Sequence, residues 1–222
     1  MFTPLSILAL SSSLLIASLF PSRNLLVSAQ QDFTSNSTGF AGTWSTGSGA
    51  VVTGPSFADP MNNDRPFFYP ENTGISFSFT DDGYFEEAQY RFEANASHPQ
   101  CSTAVVIWQH GKYYFHNNGS LTLDPSAFAS DGRIQVQDPC APTTEVLTYY
   151  SQFELYQGWS ISIDAHHAAY MLQLYRFDGS LFPRLYLTVR PPTMLPTTSL
   201  EAVLYVLPEF LSLSILPQEE ER

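Results

Sequence analysis

The ionisable residue that most suggests chemistry is Glu86. It lies in an alternating run, and because successive side chains of a strand point to opposite faces, the sequence places it beside Tyr84 and Tyr90. A carboxyl group among apolar neighbours has a raised pKa and can act as an acid. A buried ion pair between Glu86 and an arginine of a neighbouring strand is the simpler interpretation, since no second carboxylate stands out at the separation that a glycosidase needs. The sequence therefore assigns no catalytic residue.

Histidine, serine and cysteine chemistry is disfavoured by spacing. His166 and His167 are adjacent, and adjacent residues of a strand point to opposite faces, so they do not readily chelate one ion. The chain has no Gly-x-Ser-x-Gly elbow and no phosphate-binding loop, and Cys101 and Cys140 are not a Cys-x-x-Cys pair. We therefore expect no metal, no cofactor and no enzymatic activity.

Residues 1–29 have the features of a cleaved secretory signal peptide. Residues 7–20 are apolar, and Val27-Ser28-Ala29 fits a small-residue cleavage site. An uncleaved anchor is the competing interpretation, although an apolar run of about 14 residues is short for a membrane span. Three N-glycosylation sequons, which are meaningful in a secreted protein, begin at Asn36, Asn95 and Asn118.

The two cysteines, Cys101 and Cys140, are predicted to form a disulfide. An even pair in an oxidising compartment normally pairs, and two buried free thiols are the alternative. A disulfide that closes a loop of this size stabilises a fold by roughly 4 kcal/mol in the chain-entropy model.

The charge balance excludes one class of partner. The chain carries 21 acidic and nine basic residues, for a formal net charge of −12. Such a surface repels phosphate backbones and anionic lipid headgroups, so nucleic-acid binding is not expected. The part that follows residue 29 has the length of one domain with a sizeable core.

The elements that position these residues are strands. Asp82-Gly83, Asn118-Gly119 and Asp178-Gly179 each lie between alternating apolar runs, which predicts hairpins with type I′ turns. His110-Gly111 is predicted to be a further turn between strands at 104–108 and 112–116. We expect eight to ten antiparallel strands and no amphipathic helix.

A meander of this length must protect its edges, either by closing into a barrel or by folding as a β-sandwich. Sequential hairpins favour the barrel. Gly42-Thr43-Trp44 looks like the Gly-x-Trp of lipocalin-type barrels, in which a late arginine packs across the tryptophan, a part that Arg176 or Arg190 can play. The fold prediction is an all-β antiparallel meander, closed and lipocalin- or calycin-like, with a sandwich as the alternative.

The remaining boundaries follow from composition. Residues 30–40 are polar and are predicted to be a flexible lead-in, residues 41–198 the β domain, and residues 199–222 a divergent tail. Residues 200–216 are apolar, but they contain Glu201, Pro208 and Glu209, which make a poor transmembrane helix.

Several blocks of sequence, in order between residues 42 and 197, resemble one known family. They are Gly42-Thr43-Trp44-Ser45, Thr53-Gly54-Pro55, Ser76-Phe77-Ser78-Phe79-Thr80-Asp81-Asp82-Gly83, Gln109-His110-Gly111, Asp131-Gly132-Arg133, Asp138-Pro139-Cys140, Leu174-Tyr175-Arg176-Phe177-Asp178-Gly179-Ser180 and Pro191-Pro192-Thr193-Met194-Leu195-Pro196-Thr197. The family is the fungal endoplasmic-reticulum (ER) chaperone family called Rot, for reversal of Tor lethality.

The resemblance implies an ER-resident glycoprotein that assists the folding of secretory proteins, including the machinery that makes cell-wall β-1,6-glucan. It also implies a C-terminal membrane anchor, from which this sequence departs after Thr198. Its partners would be unfolded or assembling clients, with membrane attachment through that anchor alone.

The aromatic content leaves two functions open. The chain has 17 Phe, 12 Tyr and three Trp, which either fill a core or line a groove that holds an extended apolar peptide, a lipid or a glycan. The first hypothesis is an ATP-independent folding factor of the ER lumen. The alternative is a lipocalin-like module that binds a ligand or glycan in cell-wall assembly.

Overall fold

The computed structural model describes residues 39–200. The predicted signal peptide, Asn36 and most of the predicted tail lie outside the described residues. The described chain forms ten antiparallel strands and two one-turn 3-10 helices, Pro99–Cys101 and Ser126–Phe128. The strands are β1 Gly42–Thr46, β2 Gly74–Phe79, β3 Tyr84–Glu93, β4 Thr103–Phe115, β5 Leu121–Asp124, β6 Arg133–Gln137, β7 Glu145–Tyr149, β8 Glu154–Asp164, β9 Ala169–Arg176 and β10 Leu185–Val189.

The sheet closes on itself. Pairing of β3 with β4 completes a ring of eight strands in the order β3, β2, β1, β10, β9, β8, β5 and β4. The hairpin of β6 and β7 stands outside the ring and attaches to β4 through β6; we call it the wing. The predicted all-β antiparallel fold is confirmed, and the ring protects eight of its strands by giving each a partner on both sides.

β4 is the strand at which the ring and the wing separate. One of its edges pairs with β3 over residues 103–112, while the other pairs with β6 over residues 104–108 and with β5 over residues 112–115. The turn predicted at His110-Gly111 is wrong, because β4 runs straight through both residues. Gly111 is needed for close approach: a Cβ there would lie 2.2 Å from the carbonyl oxygen of Asp124.

The three predicted Asx-Gly hairpins are present, but their turn type differs from the prediction. In each, the glycine has a positive φ (90°, 84° and 81°), but the Asp or Asn before it does not. Among the described residues, Ala168 is the one non-glycine residue with a positive φ. At Asn118-Gly119, the Gly119 N–H donates to the His116 carbonyl and the His116 N–H donates to that of Ser120. This is a type I turn followed by a glycine bulge, which requires one positive φ and not two.

Two hydrophobic cores lie on opposite faces of the sheet. The inner core fills the ring and contains aromatic and leucine side chains, among them Phe40, Trp44, Phe77, Phe79, Phe85, Leu121, Leu123, Trp159, Leu172 and Leu174. The outer core covers β3 and β4 and contains Val51, Phe57, Phe67, Ala88, Val106, Trp108 and Leu200. The outer core exists because two irregular segments, residues 50–72 and residues 191–200, fold over that face.

The packed domain is longer at both ends than the sequence suggested. Phe40, placed in the flexible lead-in, is 2% exposed and contacts the rings of Phe79 and Trp159. Leu200, placed in the tail, is 8% exposed in the outer core. Arg190 holds the first of these ends, since its guanidinium donates to the carbonyl groups of Ala41 (2.7 Å) and Gly39 (2.6 Å).

Candidate functional site

Glu86 lies on the outer face of β3, beneath the two covering segments. One carboxylate oxygen accepts hydrogen bonds from the Gly54 N–H at 2.5 Å and the Trp108 indole N–H at 2.9 Å. The other accepts from the Leu195 N–H at 2.5 Å. Burial raises the pKa of Glu86 to about 7, and the three N–H donors oppose that rise.

This arrangement makes Glu86 a structural tie between three parts of the chain. Its donors belong to the 50–72 segment, to β4 and to residues 191–200, which we call the strap. All three donors are uncharged N–H groups, so hydrogen bonds hold the carboxylate where the sequence suggested an arginine. Glu86 is 0% exposed, so a substrate cannot reach it without displacing the strap.

Other buried polar side chains hold the strap in the same way. The Thr193 N–H donates to the Thr43 hydroxyl at 2.8 Å, and the Thr193 carbonyl accepts from the hydroxyls of Thr53 and Ser78. The strap therefore docks through its backbone groups, which makes the fit depend on main-chain position more than on side-chain identity.

The end of the strap reaches a buried His–Asp pair. The Leu200 N–H donates to Asp131 Oδ2 at 2.9 Å, and His110 Nε2 lies 3.0 Å from the same oxygen. Burial alone would raise the pKa of Asp131, but the hydrogen bonds from His110 and Leu200 outweigh it and lower that pKa. His110 also stacks on Phe128, with ring centroids 4.6 Å apart. The pair anchors the strap beside the start of β6.

The inner face differs, because it ends in an accessible cavity. Where β3 ends and β8 begins, the ring opens into a pocket of about 330 Å³, the mouth pocket. Its polar lining is Gln89, Arg91, Tyr150, Gln152, Glu154, Tyr156 and Arg176, and its apolar lining is Ile75, Ile107, Phe153, Leu155, Phe177 and Phe182. The pocket combines apolar surface with several hydrogen-bonding groups, as ligand sites generally do.

One lining residue of this pocket, Glu154, belongs to a pair of carboxyl groups whose other member, Glu87, is fully buried. Glu87, the neighbour of Glu86, points to the inner face, where it shares a hydrogen bond with Glu154 of β8. Gln109 Nε2 donates to Glu87 at 2.6 Å, Gln89 Nε2 also donates to it, and the Tyr156 hydroxyl donates to Glu154 at 2.5 Å. A hydrogen bond between two carboxyl groups requires that one of them carry a proton.

The electrostatics of the pair follow from burial and like charge. Burial, and then the negative charge of Glu87, raise the pKa of Glu154 to about 8, and burial raises the pKa of Glu87 as well. The positive charge of Arg91 lowers both values to a smaller extent. Both carboxyl groups of the pair are therefore more easily protonated than a glutamate in water, and Glu154 is the one that lines the pocket.

Exposed apolar side chains surround the mouth pocket. Phe153 is 53% exposed, Phe177 is 69% exposed and Leu181, next to the pocket in the β9–β10 turn, is 61% exposed. We call these three residues the rim. Large apolar side chains grouped at a pocket, as opposed to scattered singly, mark interaction surfaces in soluble proteins.

A second cavity, of about 610 Å³, lies at the β2–β3 turn. Its polar lining includes Asp81, Asp82 and Lys112, which are exposed. It encloses no buried ionisable pair, and the aromatic residues behind it pack against one another in the inner core. The mouth pocket is therefore the better candidate site.

Comparison with known proteins identifies the family. Residues 40–206 match the family described as Rot1, a fungal chaperone for protein folding within the ER. The chain belongs to this family. It is 47% identical over 159 residues to Protein rot1 of Schizosaccharomyces pombe, which covers 72% of this chain and 67% of that relative. It is 51% identical over 162 residues to Protein ROT1 of Vanderwaltozyma polyspora, covering 72% and 62%.

The resemblance found in the sequence blocks is thereby confirmed. Protein ROT1 of Yarrowia lipolytica is also similar, at 46% identity over 160 residues, or 72% of this chain and 63% of the relative. The match therefore spans about two thirds of the length of these Rot1 relatives. No solved structure matches the chain. Among residues 39–200, no helix is long and apolar enough to cross a membrane.

The predicted glycosylation sites Asn95 and Asn118 and the two cysteines do not line the mouth pocket. Asn95 and Asn118 are exposed in the β3–β4 and β4–β5 connections, where their side-chain oxygens accept backbone N–H groups of Ser97 and Ser120. Cys101 and Cys140 form a disulfide that joins the β3–β4 connection to the turn of the wing. Asn36 lies outside the described residues.

The histidines are placed differently from the sequence interpretation. His166 and His167 lie in the β8–β9 turn and not on a strand, and His167 Nδ1 is 3.0 Å from Asp164 Oδ2. In the described part of the chain, no group of three or more His, Cys, Asp or Glu side chains is arranged to hold a metal ion.

Sequence reasoning missed the Glu87–Glu154 pair. The alternation of β3 does place Glu87 on the face opposite Glu86, and the structure confirms that division. Glu154, however, lies 67 residues further on and on a strand that does not pair with β3. No local pattern connects the two residues, so only the closure of the ring reveals them as neighbours.

Proposed function

We propose that this Rot1-family protein binds unfolded segments of secretory proteins at the rim and mouth pocket, without ATP and without catalysis. The observation that carries the proposal is the exposed apolar rim around a pocket rich in hydrogen-bonding groups. An unfolded segment presents apolar side chains together with unpaired backbone groups, and such a surface offers partners for both.

A holdase role agrees with the features of the chain. The sequence has no Gly-x4-Gly-Lys-Ser/Thr loop for a nucleotide phosphate. The carboxyl pair shares a hydrogen bond, so its groups are closer than the roughly 5–9.5 Å that separates the two acids of most glycosidases. The pair therefore suits polar binding better than glycoside hydrolysis.

The proposed clients include the proteins that make cell-wall β-1,6-glucan. This part of the proposal rests on the family resemblance and on no contact in the structure. The acidic surface, with a formal net charge of −12, favours client segments that carry lysine or arginine.

The test is suppression of aggregation of a reduced, unfolded test protein by the purified full-length chain without nucleotide. We expect suppression at near-stoichiometric ratios, unchanged when ATP is added. Phe177→Ser should weaken suppression severalfold, because it removes an apolar contact at the rim. Its unfolding free energy should change by less than about 0.5 kcal/mol, since the side chain is exposed.

Ile163→Ser is the matched control. Ile163 is 70% exposed, against 69% for Phe177, but it lies at the opposite end of β8 from the mouth pocket. We expect it to leave suppression unchanged. Equal effects of the two substitutions would place binding elsewhere, and no suppression by the wild-type protein would contradict the proposal.

The second candidate function is binding of a small ligand or glycan in cell-wall assembly. The volume of the mouth pocket, about 330 Å³, and its lining of Tyr150 and Phe182 favour it, because aromatic faces with nearby hydrogen-bonding groups suit sugars and other compact ligands. Calorimetric titration with β-1,6-linked glucose oligomers tests it. Saturable binding that Phe177→Ser abolishes would support this function, and the absence of heat would exclude it for that ligand.

A further inference from the structure

One backbone edge of β7 is left unpaired by residues 39–200. The strand stands at the end of the sheet order and pairs with β6 alone among the described strands. The Tyr150 N–H donates to the Gly132 carbonyl, and the Thr144 carbonyl accepts from the Asp138 N–H. Even-numbered residues of β7 therefore face β6. Since backbone groups alternate along a strand, those of Glu145, Leu147 and Tyr149 point away from the sheet.

This edge has little of the usual protection. Soluble proteins guard exposed edges with very short strands, charged side chains, proline or a bulge, and of these β7 has its short length and Glu145. β7 has the sequence Glu145-Val146-Leu147-Thr148-Tyr149, without lysine or proline, and its register with β6 is continuous. Its short length limits self-association without blocking a partner strand.

The wing holds this edge in place before a partner arrives. Five consecutive residue pairs join β6 to β7, and the Cys101–Cys140 disulfide ties the turn between them to the chain that precedes β4. A rigid edge lowers the ordering cost of binding, because the protein loses little freedom when a strand is added.

Side chains beside the edge are apolar on both faces. Val146, 48% exposed, points to one face of the wing, while Tyr149, 64% exposed, and the partly buried Leu147 point to the other. An added strand would therefore meet apolar surface on both of its faces. Such a surface suits a segment with an apolar side chain at every second residue or more often.

Charge distinguishes between the possible occupants. Each chain carries a formal net charge of −12, and β7 begins with the exposed Glu145. Two copies paired edge to edge would repel each other, whereas a segment flanked by lysine or arginine would be attracted. The charge balance thus favours a basic or neutral polypeptide over a second copy of this chain.

We propose that β7 binds an extended client segment as an added β-strand, with backbone hydrogen bonds to Glu145, Leu147 and Tyr149. This inference rests on the proposed chaperone function and names the kind of client contact it uses. Backbone pairing accepts many sequences, because the bonds are made to groups that every residue except proline carries. The chain continues from β7 through Tyr150 to Phe153, so the same client can reach the mouth pocket.

The test uses a defined probe and the full-length protein. The probe is an eight-residue peptide of alternating valine and threonine with a lysine at each end. Its control has the same sequence with alternate backbone nitrogens methylated, which removes the donors on one edge. We expect the peptide to slow hydrogen exchange at the amides of Glu145, Leu147 and Tyr149. The methylated peptide should bind at least about tenfold more weakly, the equivalent of about 1.4 kcal/mol.

A pair of substitutions separates the backbone contact from the side-chain contact. Tyr149→Ala and Tyr149→Pro both remove the ring that packs on Arg133, at 4.3 Å from the guanidinium carbon, but only proline also removes the outward N–H. We expect Tyr149→Pro to weaken peptide binding about tenfold beyond Tyr149→Ala. If the proline variant does not fold, the exchange experiment on the wild-type protein still decides the question.

The outcomes distinguish the two proposals. Failure of the wild-type protein to suppress aggregation contradicts the chaperone function itself. Suppression without slowed exchange at these three amides overturns the β7 inference alone, as would equal binding of the methylated peptide. Protection that rises with protein concentration in the absence of peptide would assign the edge to a second copy and would also overturn it.

Discussion

Glu86 and Glu87 are neighbours in sequence and opposites in structure. Glu86 points to the outer face, where three N–H groups hold its carboxylate under the strap. Glu87 points to the inner face, where it shares a hydrogen bond with Glu154 at the mouth pocket. Burial raises the pKa of both residues, and both are fully buried, but the partner of Glu87, Glu154, lines the open mouth pocket.

The difference teaches that a raised pKa does not by itself mark a functional site. The cause of the shift is burial in both cases, and burial serves structure as readily as function. What separates the two glutamates is the kind of partner: N–H groups that tie three segments together for Glu86, and for Glu87 a second carboxyl group that lines a cavity.

The largest expected effect is on the outer face. Glu86→Gln replaces one acceptor oxygen with an NH₂ group, which then faces an N–H donor and leaves that donor unsatisfied. We expect the unfolding free energy to fall by roughly 2–4 kcal/mol, because buried unsatisfied donors are costly. Urea denaturation at pH 7 measures it. A change below about 0.5 kcal/mol would mean that the strap does not depend on Glu86.

A glutamate-to-glutamine substitution at the mouth pocket, Glu154→Gln, should instead raise the unfolding free energy at high pH. The folded-state pKa of Glu154, about 8, lies above its unfolded value. Between about pH 5 and pH 8 the folded state therefore keeps a proton on Glu154 that the unfolded state releases. The contribution of Glu154 to the unfolding free energy is full below about pH 4.5 and is lost as the pH rises through 8.

Glu154→Gln retains a donor for Glu87 and an acceptor for the Tyr156 hydroxyl, but it cannot ionise. We expect the variant to match the wild-type protein near pH 5 and to be more stable by about 2–3 kcal/mol at pH 9. Thermal and urea unfolding across this pH range measure the difference. If the difference in unfolding free energy between the wild-type protein and the variant did not change with pH, the shared proton would be contradicted.

Two glycines sharpen the comparison on a smaller scale. A Cβ at Gly54, which has a φ of +99°, would lie 2.9 Å from the Thr193 side chain of the strap, whereas one at Gly158 of β8 would lie 3.8 Å from Tyr175. We expect Gly54→Ala to destabilise by about 1–3 kcal/mol and Gly158→Ala to change stability by less than about 0.5 kcal/mol. If denaturant titrations gave equal losses of stability for the two variants, the strap would be able to move aside for the added methyl group at no cost.

The smallest expected effect on stability is at the rim. Leu181→Ser, at a residue 61% exposed, should shift the unfolding free energy by less than about 0.5 kcal/mol. Aggregation suppression should nevertheless weaken, in contrast to Glu154→Gln, whose main effect is on stability. A large loss of stability in Leu181→Ser would mean that the rim supports the fold and is not free for clients.

Much of the local structure was predictable. Alternation divided Glu86 from Glu87 correctly, and the Asx-Gly pairs located three hairpins. The turn at His110-Gly111 was wrong because the reason for Gly111 is the backbone of Asp124, a contact made across the sheet. A glycine required by close approach and one required by a turn look alike in a sequence.

The candidate site was less predictable than the fold. The rim brings together Phe153 and Phe177, from the segment before β8 and the turn after β9, and the carboxyl pair joins β3 to β8. The rim contact follows from the pairing of β8 with β9, whereas the carboxyl pair depends on the closure of the ring. The sequence did indicate a groove or mouth lined by aromatic residues, without indicating which residues form it.

The sequence by itself determined the family, the strand pattern and the two faces of β3, because these depend on short blocks and on a period of two residues. Only the tertiary structure decided that the sheet forms a ring, that the strap covers Glu86, that Glu87 meets Glu154 and that one edge of β7 has no partner among the described strands. The physical reason is that hydrogen-bond pairing and burial act between segments far apart in the chain. Which strand pairs with which depends on all the strands together, so it cannot be determined from any single segment of the sequence.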